Sequence, residues 1–201
     1  MNELAIFISP NNEIYNKVLF WKSKFKSQFG NQLFINHPPH ITLANFYSEN
    51  DLLIIEKLYN LNQNFKQALS IEVLGTDEFI NDPATKQNTP YISVKNSKNL
   101  NMYQKNILNS INILIKSKFI ANFENNNYNL NIKKYNYPYV GDDWKPHITI
   151  GSFKNEYLDS EIRKEFLNEK INFNFKVNMI SVFKIVNNKH IKLEDIKINN
   201  E

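Results

Sequence analysis

Two octapeptides carry residues that can move protons and hold an anion: Pro39-His40-Ile41-Thr42-Leu43-Ala44-Asn45-Phe46 and Pro146-His147-Ile148-Thr149-Ile150-Gly151-Ser152-Phe153. Imidazole is the side chain whose ordinary pKa lies nearest neutrality, so His40 and His147 can serve as one base and one acid. The hydroxyls of Thr42 and Thr149 can donate to the non-bridging oxygens of a phosphoryl group, where charge spreads during in-line displacement. Two imidazoles and two hydroxyls are the groups that phosphodiester cleavage needs.

Each octapeptide reads as a strand. Alternate residues of an extended chain share a face, so His40, Thr42, Ala44 and Phe46 should point one way, as should His147, Thr149, Gly151 and Phe153. Ile41, Leu43, Ile148 and Ile150 should then enter a core. On this reading the small residues Ala44 and Gly151 leave clearance for a phosphate. Chance is a poor explanation for the pair. With five Thr in the chain, a given His has roughly a one-in-forty chance of a Thr two places on, and two of four His have one.

Other residues are weaker candidates. Trp144, Tyr137 and Tyr139 precede the second motif and could stack on a base, with core packing the competing role. Lys145 shares the His147 face and could meet a phosphate, although a solvated lysine is the simpler expectation. Tyr91, Ser93 and Lys95 share one face of a strand. His37 lies three before His40, but two intervening prolines and no acidic partner argue against a metal pair. His190, beside a turn, reads as an exposed strand residue.

The whole chain sets bounds on these readings. Its 201 residues, 42% hydrophobic and 22% charged, suit one soluble globular domain spanning 1–201 with a sizeable core. The absence of cysteine excludes disulfides, thiolate catalysis and cysteine-ligated metals. A net charge of +4 suits an anionic substrate and falls short of a duplex-DNA footprint. No apolar run approaches the roughly 20 residues of a membrane span, and the start lacks a secretory pattern, so a cytoplasmic location is expected.

The elements that must position the motifs follow from periodicity. A strand over 4–9, a helix over 13–29 closed by Gly30, the first motif strand, and a helix opened by Ser48-Glu49-Asn50-Asp51 come first. Strands over 69–80 and 91–95, a helix over 100–119, and an irregular Asn-rich stretch over 125–144 with a strand near 128–132 lead to the second motif. A helix after Phe153 repeats the motif-strand-plus-helix unit, which points to a duplication. Two strands over 171–185 and 190–198, joined by Asn187-Asn188, close the chain and should extend the second sheet. The fold class is α+β, with mixed or antiparallel sheets and two lobes facing across a cleft.

Two His-x-Thr strands in an α+β chain of this size resemble the 2H phosphoesterases. The resemblance spans nearly the whole chain, including the opening strand and helix, the segment 91–119 and the closing hairpin around Phe183. It implies a bilobal, pseudo-twofold fold with two mostly antiparallel sheets lining a central groove and helices outside. It maps the catalytic residues onto His40, Thr42, His147 and Thr149. It implies hydrolysis, with no cofactor or metal, of 2′,3′-cyclic phosphate ends, 2′-5′ linked oligoadenylates or related small oligonucleotides, by a monomer without membrane or duplex-DNA partners. On this basis His147 should activate water and His40 protonate the departing ribose oxygen, the residues alone leaving the reverse open. A nucleotide-binding module without turnover and an RNA 2′-5′ ligase are the alternatives.

Overall fold

The computed structural model describes residues 1–82 and 85–199. Its strands are β1 (Asn2–Ile8), β2 (Ile41–Ser48), β3 (Ser70–Phe79), β4 (Thr89–Val94), β5 (Ile115–Ser117), β6 (His147–Thr149), β7 (Phe173–Lys176), β8 (Met179–Val186) and β9 (Lys189–Lys197). Its α-helices are α1 (Asn12–Phe29), α2 (Asp51–Asn64), α3 (Lys98–Ile111), α4 (Asn126–Tyr135) and α5 (Glu161–Leu167). The fold is α+β.

The strands run β7-β3-β4-β6-β2-β1-β8-β9, with β5 added beside β2, and the recorded pairings are antiparallel. This order is symmetric about its middle. Each motif strand is followed outward by three further strands, β1-β8-β9 on one side and β4-β3-β7 on the other. The expected two sheets are instead one, joined at its centre by the pair Ile41–Ile148. The closing hairpin also differs from expectation. Residues 171–185 divide into β7 and β8: β7 edges the second half, whereas β8 and β9 extend the first half beside β1.

Local chemistry accounts for the helices. In α1, Ile14, Val18, Trp21 and Phe25 fall three or four apart and are fully buried, while Asn11 caps the start through the Ile14 amide. Gly30, at φ 72°, takes a conformation costly to a side chain and closes the helix. Helix α3 is shorter than its apolar pattern suggests, because Ile115–Ser117 leave it to pair with Phe46–Ser48. The stretch 125–144 is not irregular, and its expected strand is α4. Asn125 caps it through the Asn127 amide, Asn136 ends it at φ 56°, and only Ile132 and Tyr135 are buried. That sparse contact explains the weak periodic signal.

The motif faces also depart from simple alternation. Between β1 and β2, Ile6 pairs with Ala44 but Phe7 pairs with Thr42, so Leu43 is an extra residue in a bulge. Past it the faces exchange, and Ala44 and Phe46 enter the core at 0% exposure. The second motif slips likewise: Tyr91 pairs with Thr149, yet Asn88, three residues back, bridges Phe153, four residues on. Phe153 is buried against Phe25 and Phe29. A Cβ on Gly151 would lie 2.7 Å from Gln32 Oε1, so this glycine admits a neighbouring loop rather than a ligand. Of the four residues expected on the polar face of each motif, only His and Thr remain there.

Candidate active site

The sheet has two chemically distinct faces. One packs the helices and holds the main core; the other carries a small cluster of Ala5, Phe7 and Phe183 with Ile185 beside it. His40 and Thr42 lie on this second face, half-buried. Since Ile41 and Ile148 both point into the core, the residues flanking them on both strands point to the open face. In the register that this pair sets, His40 lies across from Thr149 and Thr42 across from His147. Directly opposite residues have Cα atoms about 5 Å apart, and diagonal neighbours lie at about 7–8 Å. The two histidines are thus diagonal neighbours on one face of the sheet.

The same local device orients both rings. His40 Nδ1 lies 2.6 Å from the Pro38 carbonyl, and His147 Nδ1 lies 2.8 Å from the Lys145 carbonyl. A carbonyl only accepts, so Nδ1 carries the hydrogen in each ring and Nε2 keeps its lone pair for the groove. The intervening Pro39 and Pro146 have fixed φ, which holds the upstream carbonyl against the ring. Among the described residues, neither Thr42 nor Thr149 has its hydroxyl engaged, so both can donate.

Aromatic residues border each half. Phe7, opposite Thr42, stacks on His40 at 3.8 Å between centroids. Tyr91, opposite Thr149, lies 5.1 Å from His147, and Phe79 also lies 5.1 Å from it. Tyr91 donates to Asp77 at 2.8 Å, and burial, this bond and the Asp77 charge raise its pKa. Ser93 sits opposite His147, so the Tyr91 face borders the groove.

The electrostatics of the halves differ. Burial pushes His40 down to about 3, against the Pro38 carbonyl, and positive charge on His190, His37 or Lys22 lowers it further. Burial also lowers His147, but the Lys145 carbonyl and the Asp82 carboxylate act the other way. Lys22 is buried and donates to the Phe34 and Ile150 carbonyls at 2.7 and 2.9 Å. Its burial brings the ammonium down to about 7.

The remaining candidates are placed as follows. Trp144 and Tyr137 are 4% exposed in the main core, which leaves neither a free ring face for a base. Tyr139 packs edge-on against Phe119, Phe123, Tyr128 and Tyr137, and its pKa is raised by burial, by Tyr128 and by the Asp82 carboxylate that also acts on His147. Lys145 is exposed and contributes its carbonyl. His190 is not the exposed strand residue expected: it is half-buried, 5.7 Å from His40 and 4.2 Å from His37 between ring centroids. Phe7, Phe79, Asp77 and His190 carry no sequence motif. Their pairing partners alone reveal them.

Two imidazole–hydroxyl pairs, related by the symmetry of one sheet and carried on its open face, define a protein of duplicated architecture. A model of the 2′-5′ RNA ligase superfamily matches residues 18–189, and the chain belongs to that superfamily, the 2H phosphoesterases. Among solved structures, TT0787 of Thermus thermophilus is 13% identical, with 99% of each chain covered and a TM-score of 0.61. Escherichia coli LigT complexed with 3′-AMP is 12% identical, covering 99% of this chain and 98% of that one, with a TM-score of 0.57. A structure described as a phosphoesterase is 11% identical, covering 100% and 99%, with a TM-score of 0.55. These likenesses are of fold. None of the curated proteins compared matches the chain. The superfamily is one of phosphoesterases and ligases, which places this chain among enzymes. Among the described residues no helix is long and apolar enough to cross a membrane.

Proposed function

We propose that this chain acts as a single phosphoesterase domain with two pseudo-symmetric lobes, hydrolysing 2′,3′-cyclic phosphate ends, 2′-5′ linked oligoadenylates or related small oligonucleotides. The carrying observation is the matched Nδ1–carbonyl bond on His40 and His147, which leaves Nε2 of each ring free to exchange a proton. The scissile phosphate sits between the rings, and Thr42 and Thr149 donate to its non-bridging oxygens. Two imidazoles can supply both proton transfers, so the reading is metal-independent. Turnover in EDTA tests that part.

The unequal surroundings bear on the division of roles. Asp82 favours a proton on His147, whereas His37, His190 and Lys22 disfavour one on His40. We therefore assign His40 as base and His147 as acid, the reverse of the order expected from the resemblance. His147 enters the cycle as the imidazolium, with its second proton on Nε2. The water proton passes to His40 Nε2, hydroxide attacks phosphorus, the ester oxygen leaves, and His147 Nε2 gives it that second proton, after which the proton on His40 returns to solvent. Incubating the protein with 2′,3′-cyclic nucleotides and 2′-5′ oligoadenylates, with chromatography of products, tests the function. Binding without product supports a nucleotide-binding module instead, and joined products support ligation.

A further inference from the structure

His37 and His190 sit where neither the proton transfers nor the fold requires them. His37 lies in the loop before β2, and His190 lies in β9 opposite Ile185, immediately after the Asn187-Asn188 turn. The rings meet edge to face at 4.2 Å, and Phe7 and Phe183 flank His190 at 5.5 and 6.1 Å. Among the described residues neither imidazole has a hydrogen-bond partner. Both pKa values are lowered, His37 to about 4, chiefly by burial. Both rings are half-buried with their nitrogens still reachable from solvent, so each can take a partner from outside the chain. Such an arrangement suits a ligand that the free protein lacks.

From these contacts we propose, building on the function above, that His37 and His190 form a second phosphate subsite beside His40. The ligand chemistry follows from the rings. Two imidazoles can each donate to anionic oxygens, and an anion bound beside both rings would favour the protonation of His37 that His190 now disfavours. A metal is disfavoured by the edge-to-face packing and by the absence, among the described residues, of a grouping able to hold one. His190 is 5.7 Å from His40, on the β1 side of the scissile position, about where the next phosphate of a nucleotide strand would fall. The opposite half offers Phe79, Tyr91 and Asp77 instead, a surface for a base or ribose and not for a second anion. The substrate class is therefore a phosphodiester carrying a neighbouring phosphate, an oligonucleotide end rather than a lone cyclic mononucleotide.

The test compares a dinucleotide ending in a 2′,3′-cyclic phosphate with the corresponding mononucleoside 2′,3′-cyclic phosphate. The wild type should favour the dinucleotide through a lower KM. His190→Gln and His37→Gln should each cut that preference by about tenfold, the size of one charge-assisted hydrogen bond. Equal losses on both substrates, or no change in preference, overturn the subsite. A second measurement does not depend on turnover: the imidazole NMR signals of His37 and His190 in the wild type should shift with a dinucleoside phosphate bearing a 3′-phosphate more than with 3′-AMP. Unmoved signals overturn the subsite even if cleavage is observed. If neither cyclic substrate is cleaved while these signals shift, the hydrolytic reading fails and the subsite stands.

Discussion

Ile41 of β2 pairs with Ile148 of β6, and both side chains are fully buried. This contact joins the two halves of the sheet, and it dictates the active-site geometry. With both isoleucines turned inward, the residue on either side of each must turn outward. Those four residues are His40, Thr42, His147 and Thr149. The antiparallel register then sets each His across from the Thr of the other motif.

Replacing either imidazole should slow cleavage of an ordinary phosphodiester by about 10²–10⁴-fold. A good leaving group separates the roles. On an ester with p-nitrophenolate as leaving group, protonation of the departing oxygen matters little, so His147→Ala should recover much of its loss while His40→Ala should not. Stopped-flow or steady-state absorbance at the nitrophenolate band reads this directly. Recovery by His40→Ala instead would restore the order in which His147 activates water.

Thr42→Val and Thr149→Val keep shape and remove one donor each. Each should lower kcat by about 10²-fold, the scale of losing an oxyanion donor, with a smaller change in KM. Because both hydroxyls reach a half-buried groove face, the melting temperature should move little. A loss confined to KM would mean that they bind ground state and transition state alike.

Ala44→Leu and Gly151→Ala separate clearance from packing. Alternation along each octapeptide places both positions beside the imidazoles, where a larger side chain would block substrate. The bulges at Leu43 and after Ile150 place them in the core instead, so Ala44→Leu should cost about 1–3 kcal/mol of stability by overpacking and leave KM nearly unaltered in the folded fraction. Denaturant unfolding with parallel kinetics distinguishes the two.

Those positions also show what is legible in the sequence. The duplicated His-x-Thr pattern, the Asn-capped helices and the Asn187-Asn188 hairpin are local chemistry, and each is readable from neighbouring residues. A bulge is decided by a partner strand, and the partner lies far along the chain. The same holds for β8–β9, whose hairpin is visible but whose neighbour β1 is not, and hence for His190, which reaches the groove only because of that pairing. Helix α4 escapes for a different reason: it is built from Asn-rich sequence and rests on Ile132 and Tyr135, too few contacts for a periodic signal.

Acid should destabilise the fold in a defined window. The folded pKa values of His37 and His40, about 4 and 3, lie below the ordinary 6.5. The unfolded chain then binds more protons at these two sites between those limits, so their contribution to stability is fully present above pH 6.5 and falls as pH drops toward 3. The loss should be on the order of a few kcal/mol by pH 4, and the double variant His37→Gln, His40→Gln should flatten it. Urea midpoints between pH 4 and 7.5 measure the slope. A slope unchanged in the double variant would assign the acid loss to other groups.

Lys22 ties the loop before the first motif to the backbone of the second. Its ammonium donates to the Phe34 carbonyl, in the loop that leads to His40, and to the Ile150 carbonyl, immediately beyond Thr149. The second clamp on that loop is the Leu33–Ser152 bridge. Lys22→Met keeps the apolar stem but leaves two carbonyls short of a donor, so stability should fall by about 2 kcal/mol. Loosening both motif ends should lower kcat by about tenfold or more, since small displacements of reacting groups are costly. A purely structural lysine would stop there. Lys22 is also a positive charge that lowers His37, His40 and His190, so removing it should raise those pKa values. The acidic limb of kcat/KM should accordingly shift to higher pH in Lys22→Met, because His40 must be neutral to act as base. Histidine titration by NMR checks the same displacement without substrate, and unshifted imidazoles would reduce Lys22 to a clamp alone.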